Sequence, residues 1–248
     1  MDQSFFIGAI GASQQMLRMS IQGNNIANVN TYGFKAEKAR FTSLFYQDMA
    51  AIEQPQVPYG VGTRLLMTST DSNPGGVATT GRYQDYMIEG DGFFAVLDPT
   101  TNEISFTRNG AFSVNDYLRP TGETDENGNP VQERIWVLTD EQRRLVLGTD
   151  GNIIEVADHT APQPVGIFDY GNYDGIQHIG GTRFLPVDKN GELMMGTGKL
   201  IQCALEMSNV DLADEITKVI EAQRAYGMAL KIVQTSDEIE TTINNLRT

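Results

Sequence analysis

Only a few residues in this 248-residue chain have the side chains that catalysis or metal binding most often uses. They are two histidines, His159 and His178, and one cysteine, Cys203. None lies at the short spacing from another that metal ligands require. Cys203 has apolar neighbours, which favours a buried thiol over a reactive one, and a single cysteine excludes a disulfide within the chain. These residues predict no metal site, no cofactor and no catalytic centre.

Three glycine-containing segments match parts of ligand-binding loops without completing them. The run GTGKL, residues 196–200, lacks the first glycine and the hydroxyl that bind phosphate and magnesium in a phosphate loop. DENGN (125–129) and DKNGE (188–192) have glycine fourth instead of sixth, so they fit hairpin turns better than calcium loops. The 32 acidic residues leave a catalytic carboxylate pair open, but no pair stands out. The sequence favours a protein without catalysis.

The overall charge limits the classes of partner. The formal net charge is −14 and the basic residues are scattered, which argues against nucleic acid. No apolar run approaches the roughly 18 residues of a membrane-spanning helix, so membrane insertion is not expected. Asp2 stands where a signal peptide carries positive charge. We therefore expect either a cytoplasmic protein or export without a cleavable signal peptide.

Helical apolar stripes at both ends of the chain must position whatever lies between them. In residues 3–28 the spacing of three and four residues resembles a coiled-coil seam, with members Ile7, Ile10, Gln14, Leu17, Ile21 and Asn24. Residues 206–248 carry a second such stripe, with members Ile216, Val219, Gln223, Tyr226, Leu230 and Val233. Ser208 or Asn209 is the expected N-cap of the second helix. Each helix alone is marginal, so we predict that they pack against each other and against neighbouring molecules.

The chain from about 60 to 205 has short β-branched and aromatic runs. Pairs such as Asn109-Gly110 and Asp150-Gly151 separate these runs and favour hairpin turns. The predicted fold class is α+β, with a discontinuous coiled-coil-like domain from the N- and C-terminal helices and a β-rich middle domain. The expected divisions are 1–40 with 206–248 for the helical domain, 41–74 for an extended, irregular connection, and 75–205 for the β-rich domain.

Four short stretches resemble one protein family. NNIANVNTYGFK (24–35) ends the first helix with asparagines, whose side chains bond to nearby backbone groups and stop helices. It resembles the N-terminal signature of the bacterial flagellar axial proteins, which are the rod and hook subunits. EMSNVDLADEITKVIEAQRAY (206–226) resembles their C-terminal signature, and GDGFFAV (90–96) and FTRNGAFSV (106–114) resemble segments from the middle of rod proteins. All four occur in the family's order.

The resemblance implies a structural, non-catalytic subunit of the flagellar basal-body rod, which transmits torque from motor to hook. It implies a tube wall made by the terminal helices, with the β-rich domain outside. It further implies export through the flagellar type III apparatus and helical, head-to-tail assembly with copies of itself and other rod or hook subunits, in the basal body outside the cytoplasm. The short length favours a rod protein over a hook protein, and a distal-rod-like protein is preferred to a proximal one. The alternatives are a proximal-rod, hook or cap protein or, from another class, a secreted β-rich enzyme that acts on the cell wall.

The residues expected to act in assembly come from the two stripes and the two terminal signatures. In the asparagine-rich stretch we expect both a structural hinge and a contact between subunits. The set comprises Ile7, Ile10, Leu17, Ile21, Asn25, Asn28, Asn30, Thr31, Gly33, Phe34, Ile216, Val219, Gln223, Arg224, Tyr226, Leu230 and Val233.

Overall fold

A long helix forms at each end of the described chain, as predicted. The computed structural model describes residues 3–43, 46–48, 58–60, 62–124, 130–158, 160–173, 175–180 and 182–246. Helix α1 spans Gln3–Ala27 and helix α2 spans Leu212–Leu246. With the strands between them they confirm the α+β fold class. Neither of these helices is long and apolar enough to cross a membrane.

Strands and one short 3-10 helix, Asp188–Asn190, fill the described chain between α1 and α2. The strands are β1 (Glu37–Ser43), β2 (Tyr46–Asp48), β3 (Pro58–Gly60), β4 (Thr63–Thr70), β5 (Val77–Thr79), β6 (Tyr86–Glu89), β7 (Phe94–Leu97), β8 (Ile104–Thr107), β9 (Ser113–Thr124), β10 (Pro130–Thr139), β11 (Leu145–Val146), β12 (Phe168–Tyr170), β13 (Gln177–Gly180), β14 (Arg183–Leu185), β15 (Leu193–Met195), β16 (Lys199–Gln202) and β17 (Ala204–Glu206).

The chain divides into two compact units. The helical unit contains Met1–Val29, Glu37–Ser69 and Val210–Thr248, and the sheet unit contains Asn30–Ala36 and Thr70–Asn209. The signature at 24–35 therefore contributes residues to both units. The three-part division expected from the sequence stays a prediction, because compactness groups residues by contact and not by role.

The sheet unit is built on an antiparallel sheet. In the described chain the sheet has seven strands in the order β13-β14-β8-β7-β11-β10-β9. One apolar cluster includes Tyr86, Phe94 and Phe112, and a second includes Phe106 and Phe184. These aromatic and β-branched residues bury large areas in short strands, and their burial is the main favourable term of folding here.

The turn glycines agree only in part with the hairpin prediction. Gly151 has a φ of 71°, as a tight turn requires. Gly110 has no positive φ, and its pair with Asn109 was wrongly predicted as such a turn. Glycine is needed there for another reason, because a Cβ would lie 1.8 Å from the carbonyl oxygen of Tyr86. DENGN (125–129) lies outside the described residues.

Regular strands also form in the segment that the sequence had indicated to be irregular. β1 pairs with β4, and β2 pairs with β3. The described part of 41–74 is therefore extended chain with strand pairing. Gln14 of α1 accepts a hydrogen bond from the Leu65 amide in β4 at 2.5 Å.

The contact between α1 and α2 uses small residues. Gly8 lies against α2 so closely that a Cβ would be 3.0 Å from Val233 Cγ2 and 3.2 Å from the Ala229 carbonyl oxygen. The Ser4 and Ser236 hydroxyls bond at 2.7 Å. Among the more buried positions of α2, one series alternates at spacings of four and three: Glu215, Val219, Ala222, Tyr226, Ala229, Val233, Ser236 and Glu240. The seam is therefore a close, heptad-spaced contact.

The first residues of α2 correct a predicted cap. Asp211 Oδ1 accepts hydrogen bonds from the amides of Ala213 at 2.9 Å and Asp214 at 3.3 Å. Asp211 is therefore the N-cap, and the prediction of Ser208 or Asn209 was wrong. Asn209 makes other bonds, inside the sheet unit.

Two glycines of α1 give a matched test of the seam. Gly23 has nothing within 4 Å of a built Cβ. Gly23→Ala should raise the free energy of unfolding by about 0.5–1 kcal/mol, because alanine is the better helix former. Gly8→Ala should give no gain, because its methyl crowds Val233. Thermal unfolding followed by circular dichroism measures both, and an equal gain for the two variants would contradict the close seam.

Candidate functional site

The terminal signatures supply two sets of buried polar contacts, one in each unit. In the helical unit Asn25 is fully buried near the end of α1. Its Nδ2 donates to the Glu37 carbonyl at 2.9 Å, and its Oδ1 accepts from the Glu37 amide at 2.9 Å. Nδ2 also donates to Glu215 Oε2 at 3.2 Å. The side chain of Asn25 thereby binds the start of β1 and the first turns of α2, as a backbone group would in a ladder.

The other asparagines and Thr31 shape the exit from the helix. Asn28 Nδ2 donates to the Asn24 carbonyl oxygen at 2.9 Å, and the Asn28 amide donates to the same oxygen at 3.2 Å. The asparagine side chain thereby adds a second bond to the last turn of the helix. Asn30 is exposed, and Thr31 is half-buried. The sequence predicted a hinge here, and the bonds of Asn25 and Asn28 show how the helix ends. The predicted contact between subunits stays a prediction.

Gly33 allows its segment of the chain to pack closely against the backbone of Arg108 and Asn109 in the sheet unit. Its φ is 68°, and a Cβ would lie 2.3 Å from the Asn109 amide nitrogen. Its own amide donates to the Glu206 carbonyl oxygen at 2.8 Å. The left-handed conformation and the close approach both exclude larger residues. The next residue, Phe34, is buried.

Glu206 is the centre of a buried cluster of charges in the sheet unit. Only 1% of Glu206 and 2% of Lys35 is exposed. Lys35 Nζ donates to Glu206 Oε1 at 2.6 Å and to the Asn73 carbonyl oxygen at 2.8 Å. The Gly75 amide donates to the same Oε1 at 3.0 Å, and Arg108 Nη1 donates to Oε2 at 3.4 Å. One carboxylate therefore joins the N-terminal signature, the middle of the chain and the C-terminal signature.

Arg108 is held on both sides. Its Nη2 donates to the Gly90 carbonyl oxygen at 2.8 Å, and its guanidinium carbon lies 5.4 Å from the centre of the Phe93 ring. This arrangement combines a charge-assisted hydrogen bond with a cation–π contact. Gly90 and Phe93 belong to the GDGFFAV segment, so all four family-like stretches meet in or beside this cluster.

Burial controls the protonation of Lys35. Desolvation is the largest influence and lowers the pKa of Lys35 below its ordinary value of 10.5. The attraction of Glu206 and its hydrogen bond act in the opposite direction, and nearby Arg108 lowers the pKa further. The lysine therefore depends on Glu206 to remain charged inside the protein.

Asn209 joins three backbone segments of the sheet unit. Its Oδ1 accepts from the Ala36 amide at 2.7 Å. Its Nδ2 donates to the carbonyl oxygens of Asp71 at 2.9 Å and Asn73 at 3.0 Å. These bonds explain why Asn209 does not cap α2. The C-terminal signature carries this asparagine beside the charge cluster.

The residues considered first for chemistry have structural surroundings. His178 Nε2 is 2.8 Å from the Thr70 hydroxyl, and its ring meets Phe184 edge to face at 4.6 Å. Cys203 is half-buried, and His159 lies outside the described residues. Within the described ranges, no group of three His, Cys, Asp or Glu residues could hold a metal ion.

The predicted stripe residues separate into two groups. Val219, Tyr226 and Val233 lie in the seam between α1 and α2. The positions outside it are half-buried at Ile7, Ile10 and Ile21, and exposed at Leu17, Ile216, Gln223, Arg224 and Leu230. The predicted stripe on α1 is thus one residue out of register with the close face at Gly8 and Ala12. Lys35, Arg108, Glu206 and Asn209 were not among the predicted site residues, although each stands inside one of the family-like motifs.

Comparisons with known proteins agree with the order of these motifs. The family described as "Flagella basal body rod protein" matches residues 7–35. "Flagellar hook protein FlgE/F/G D1 domain" matches 87–155, and "Flagellar basal body rod FlgEFG protein C-terminal" matches 201–246. The three matches contain Lys35, Arg108 and Glu206 in turn. The chain belongs to the bacterial flagellar rod and hook protein family, as the sequence resemblance predicted.

Its full-length relatives include rod proteins. The chain is 33% identical to the flagellar basal-body rod protein FlgG of Bacillus subtilis, with 99% of each chain covered. It is 30% identical to the protein of that name from Buchnera aphidicola, with 95% of this chain and 96% of the relative covered. The flagellar hook protein FlgE of Treponema pallidum is 34% identical over 56% of this chain and 31% of its own length. The family is structural and not enzymatic, which removes the cell-wall enzyme alternative.

The conformation of Gly33 gives a first test of the site. Gly81 has a similar φ, 73°, but nothing within 4 Å of a built Cβ. Gly81→Ala should lower the free energy of unfolding by about 1–2 kcal/mol through backbone strain alone. Gly33→Ala should lower the free energy of unfolding by about 1–3 kcal/mol more than Gly81→Ala does, because its methyl group would overlap backbone atoms. Urea unfolding followed by the fluorescence of Trp136 measures both, and equal losses would contradict the packing argument.

Removing the buried carboxylate gives a second test. Glu206→Gln leaves Lys35 and Arg108 buried without their anion, so the free energy of unfolding should fall by about 3–5 kcal/mol. The control is Glu133→Gln, since Glu133 forms an exposed ion pair with Arg119 at 3.0 Å and should matter little. Urea titration of the two variants and the parent protein measures the three free energies of unfolding. A small loss for Glu206→Gln would show that the cluster is not a main source of stability.

Proposed function

We propose that this structural rod protein assembles through apolar stripes of α1 and α2 that remain exposed after the two helices pair. Membership of the flagellar rod and hook family makes it a flagellar protein. The proposal rests on one observation: both helices expose large apolar side chains outside the seam between them. Soluble proteins rarely expose contiguous apolar surface unless it meets a partner.

The first stripe on α2 borders the seam on one side. Successive residues turn about 100° around a helix, so its members lie within about 80° of one another. Ile216 and Ile220 are each 45% exposed. The exposed apolar members are Leu212, Ile216, Ile220 and Leu230. This stripe fits the apolar face of a helix from another subunit.

A second stripe on α2 borders the seam on its other side. Its members lie within about 60° of one another by the same geometry. They are Ile232, Ile239, Ile243 and Leu246. Phe6 and Leu17 of α1 are exposed as well. Because the stripes flank one seam on opposite sides, we expect α2 to meet helices of at least two neighbouring copies. Such repeated, non-identical contacts build an open helical lattice and not a closed dimer.

The finer assignments extend this proposal. We expect export by the flagellar type III apparatus, neighbours among other rod and hook subunits, and a distal-rod-like position. The family membership supports all three without deciding between rod subtypes. Mass spectrometry of protein recovered from basal bodies tests export, since an intact N-terminus is expected and a removed leader would contradict it.

The stripe beside the seam can be tested without unfolding the subunit. The double variant Ile216→Gln, Ile220→Gln replaces isoleucine by a better helix former and changes side chains already exposed, so its melting temperature should stay close to the parent's. In cells with no other copy of the gene, it should abolish most swimming and reduce the yield of hook-bearing basal bodies at least tenfold.

The matched control for this experiment is Leu118→Gln, which changes an exposed apolar residue on β9 of the sheet unit. It should swim like the parent. Normal swimming and normal basal bodies with the double variant, produced at the parent's level, would contradict a role of this stripe in assembly.

A further inference from the structure

The last strands of the sheet unit close it by contacts with residues far away in sequence. β16 pairs with β6, where Leu200 lies opposite Ile88, and β17 pairs with β5, where Leu205 lies opposite Ala78. The bonds of Glu206 span 171 residues to Lys35, 131 to Gly75 and 98 to Arg108. We call residues 199–209 the closing segment.

Most neighbouring strands of the large sheet are also close in sequence, apart from the pairs β14 with β8 and β11 with β7. β9 and β10 form a hairpin with a long run of paired residues, and β7 pairs with its neighbour β8. The entropy lost on closing a loop grows with its length, so short-range pairs form before long-range ones. The sheet can therefore form while the closing segment is still free.

The charge of Glu206 makes docking of the closing segment necessary for the burial of Lys35 and Arg108. Until Glu206 arrives, Lys35 and Arg108 lack the carboxylate that pairs with both of them, and Asp71 acts on Lys35 as a nearby charge. Burying two cations close together without an anion is strongly unfavourable. The segments that carry them, residues 30–36 and the turn after β8, are then free to stay hydrated and open. Gly75 and Gly33 each lack one acceptor until the same residue docks.

We propose that docking of the closing segment is the last obligatory step in folding the sheet unit, with Glu206 as its anchor. The N-terminal signature stays undocked until the C-terminal signature is present. A chain made or moved from its N-terminus onward then keeps both terminal signatures free until residue 206 is available. This docking step belongs to the folding of the sheet unit and does not depend on the apolar stripes of α1 and α2.

Folding and unfolding rates of the full chain test the order of events. Stopped-flow dilution from urea, followed by Trp136 fluorescence, compares Glu206→Gln with Val96→Ala, a fully buried core change in β7. Glu206→Gln should leave the folding rate within about twofold and speed unfolding at least tenfold, because its contacts form after the transition state. Val96→Ala should slow folding severalfold. Slower folding of Glu206→Gln, in proportion to its lost stability, would overturn the proposal.

Hydrogen exchange of the unaltered protein keeps the proposal testable if Glu206→Gln fails to fold. The amides of Gly33 and Gly75 bond to Glu206, and the Met207 amide bonds to the Gly76 carbonyl oxygen. They should exchange together and at least tenfold faster than the Leu147 amide, which bonds to the Ala95 carbonyl oxygen within the sheet. Equal protection of both sets in mild denaturant would overturn the late docking.

Discussion

The sheet unit depends on one buried carboxylate. Glu206 lies out of water with two cations, and each of the three charges would be costly to bury alone. The surrounding backbone is arranged to satisfy it: Gly75 donates to the carboxylate, and Gly33 donates to the carbonyl oxygen of the same residue. These requirements fix the path of the chain at three separate places. The local strand pairs could form without the cluster, but they would not bring the two terminal signatures together.

The sequence was sufficient to predict the helices and misleading about which of their faces would pair. Leu17, Ile216 and Leu230 dominate any apolar stripe because their side chains are large. The face that α1 turns to α2 instead includes Gly8 and Gly11, which bury little area each but let the backbones approach. A hydrophobic stripe is recognised by its large apolar side chains. Helices that pack closely need small side chains at the contact. The conspicuous residues were therefore left for other contacts.

The charge cluster was out of reach of sequence reasoning for a different reason. Lys35, Arg108 and Glu206 each stand in a recognisable motif, but a motif shows its own residues and not its spatial neighbours. Secondary-structure periods act over a few residues, and the bond between Lys35 and Glu206 spans 171. A signal did exist for two of them, because Lys35 and Arg108 are the only charged residues in NNIANVNTYGFK and FTRNGAFSV. Glu206 gave no such signal, since its signature contains many other charges. Asn209 was mistaken for a helix cap because asparagine bonds to any free backbone group within reach.

The two units thus reach stability by opposite means. In the sheet unit the Glu206 carboxylate, Lys35, Arg108 and Asn209 each make hydrogen bonds within the unit. The helical unit has a narrow seam in which small residues such as Gly8 allow close approach, and it leaves many of its large apolar side chains exposed. A subunit built for a lattice gains from this division, because contacts between copies can add burial to the helices without disturbing a domain that is already complete. Under the proposed assembly, burial of these stripes by neighbouring copies would supply the free energy that the helical unit lacks in a solitary chain.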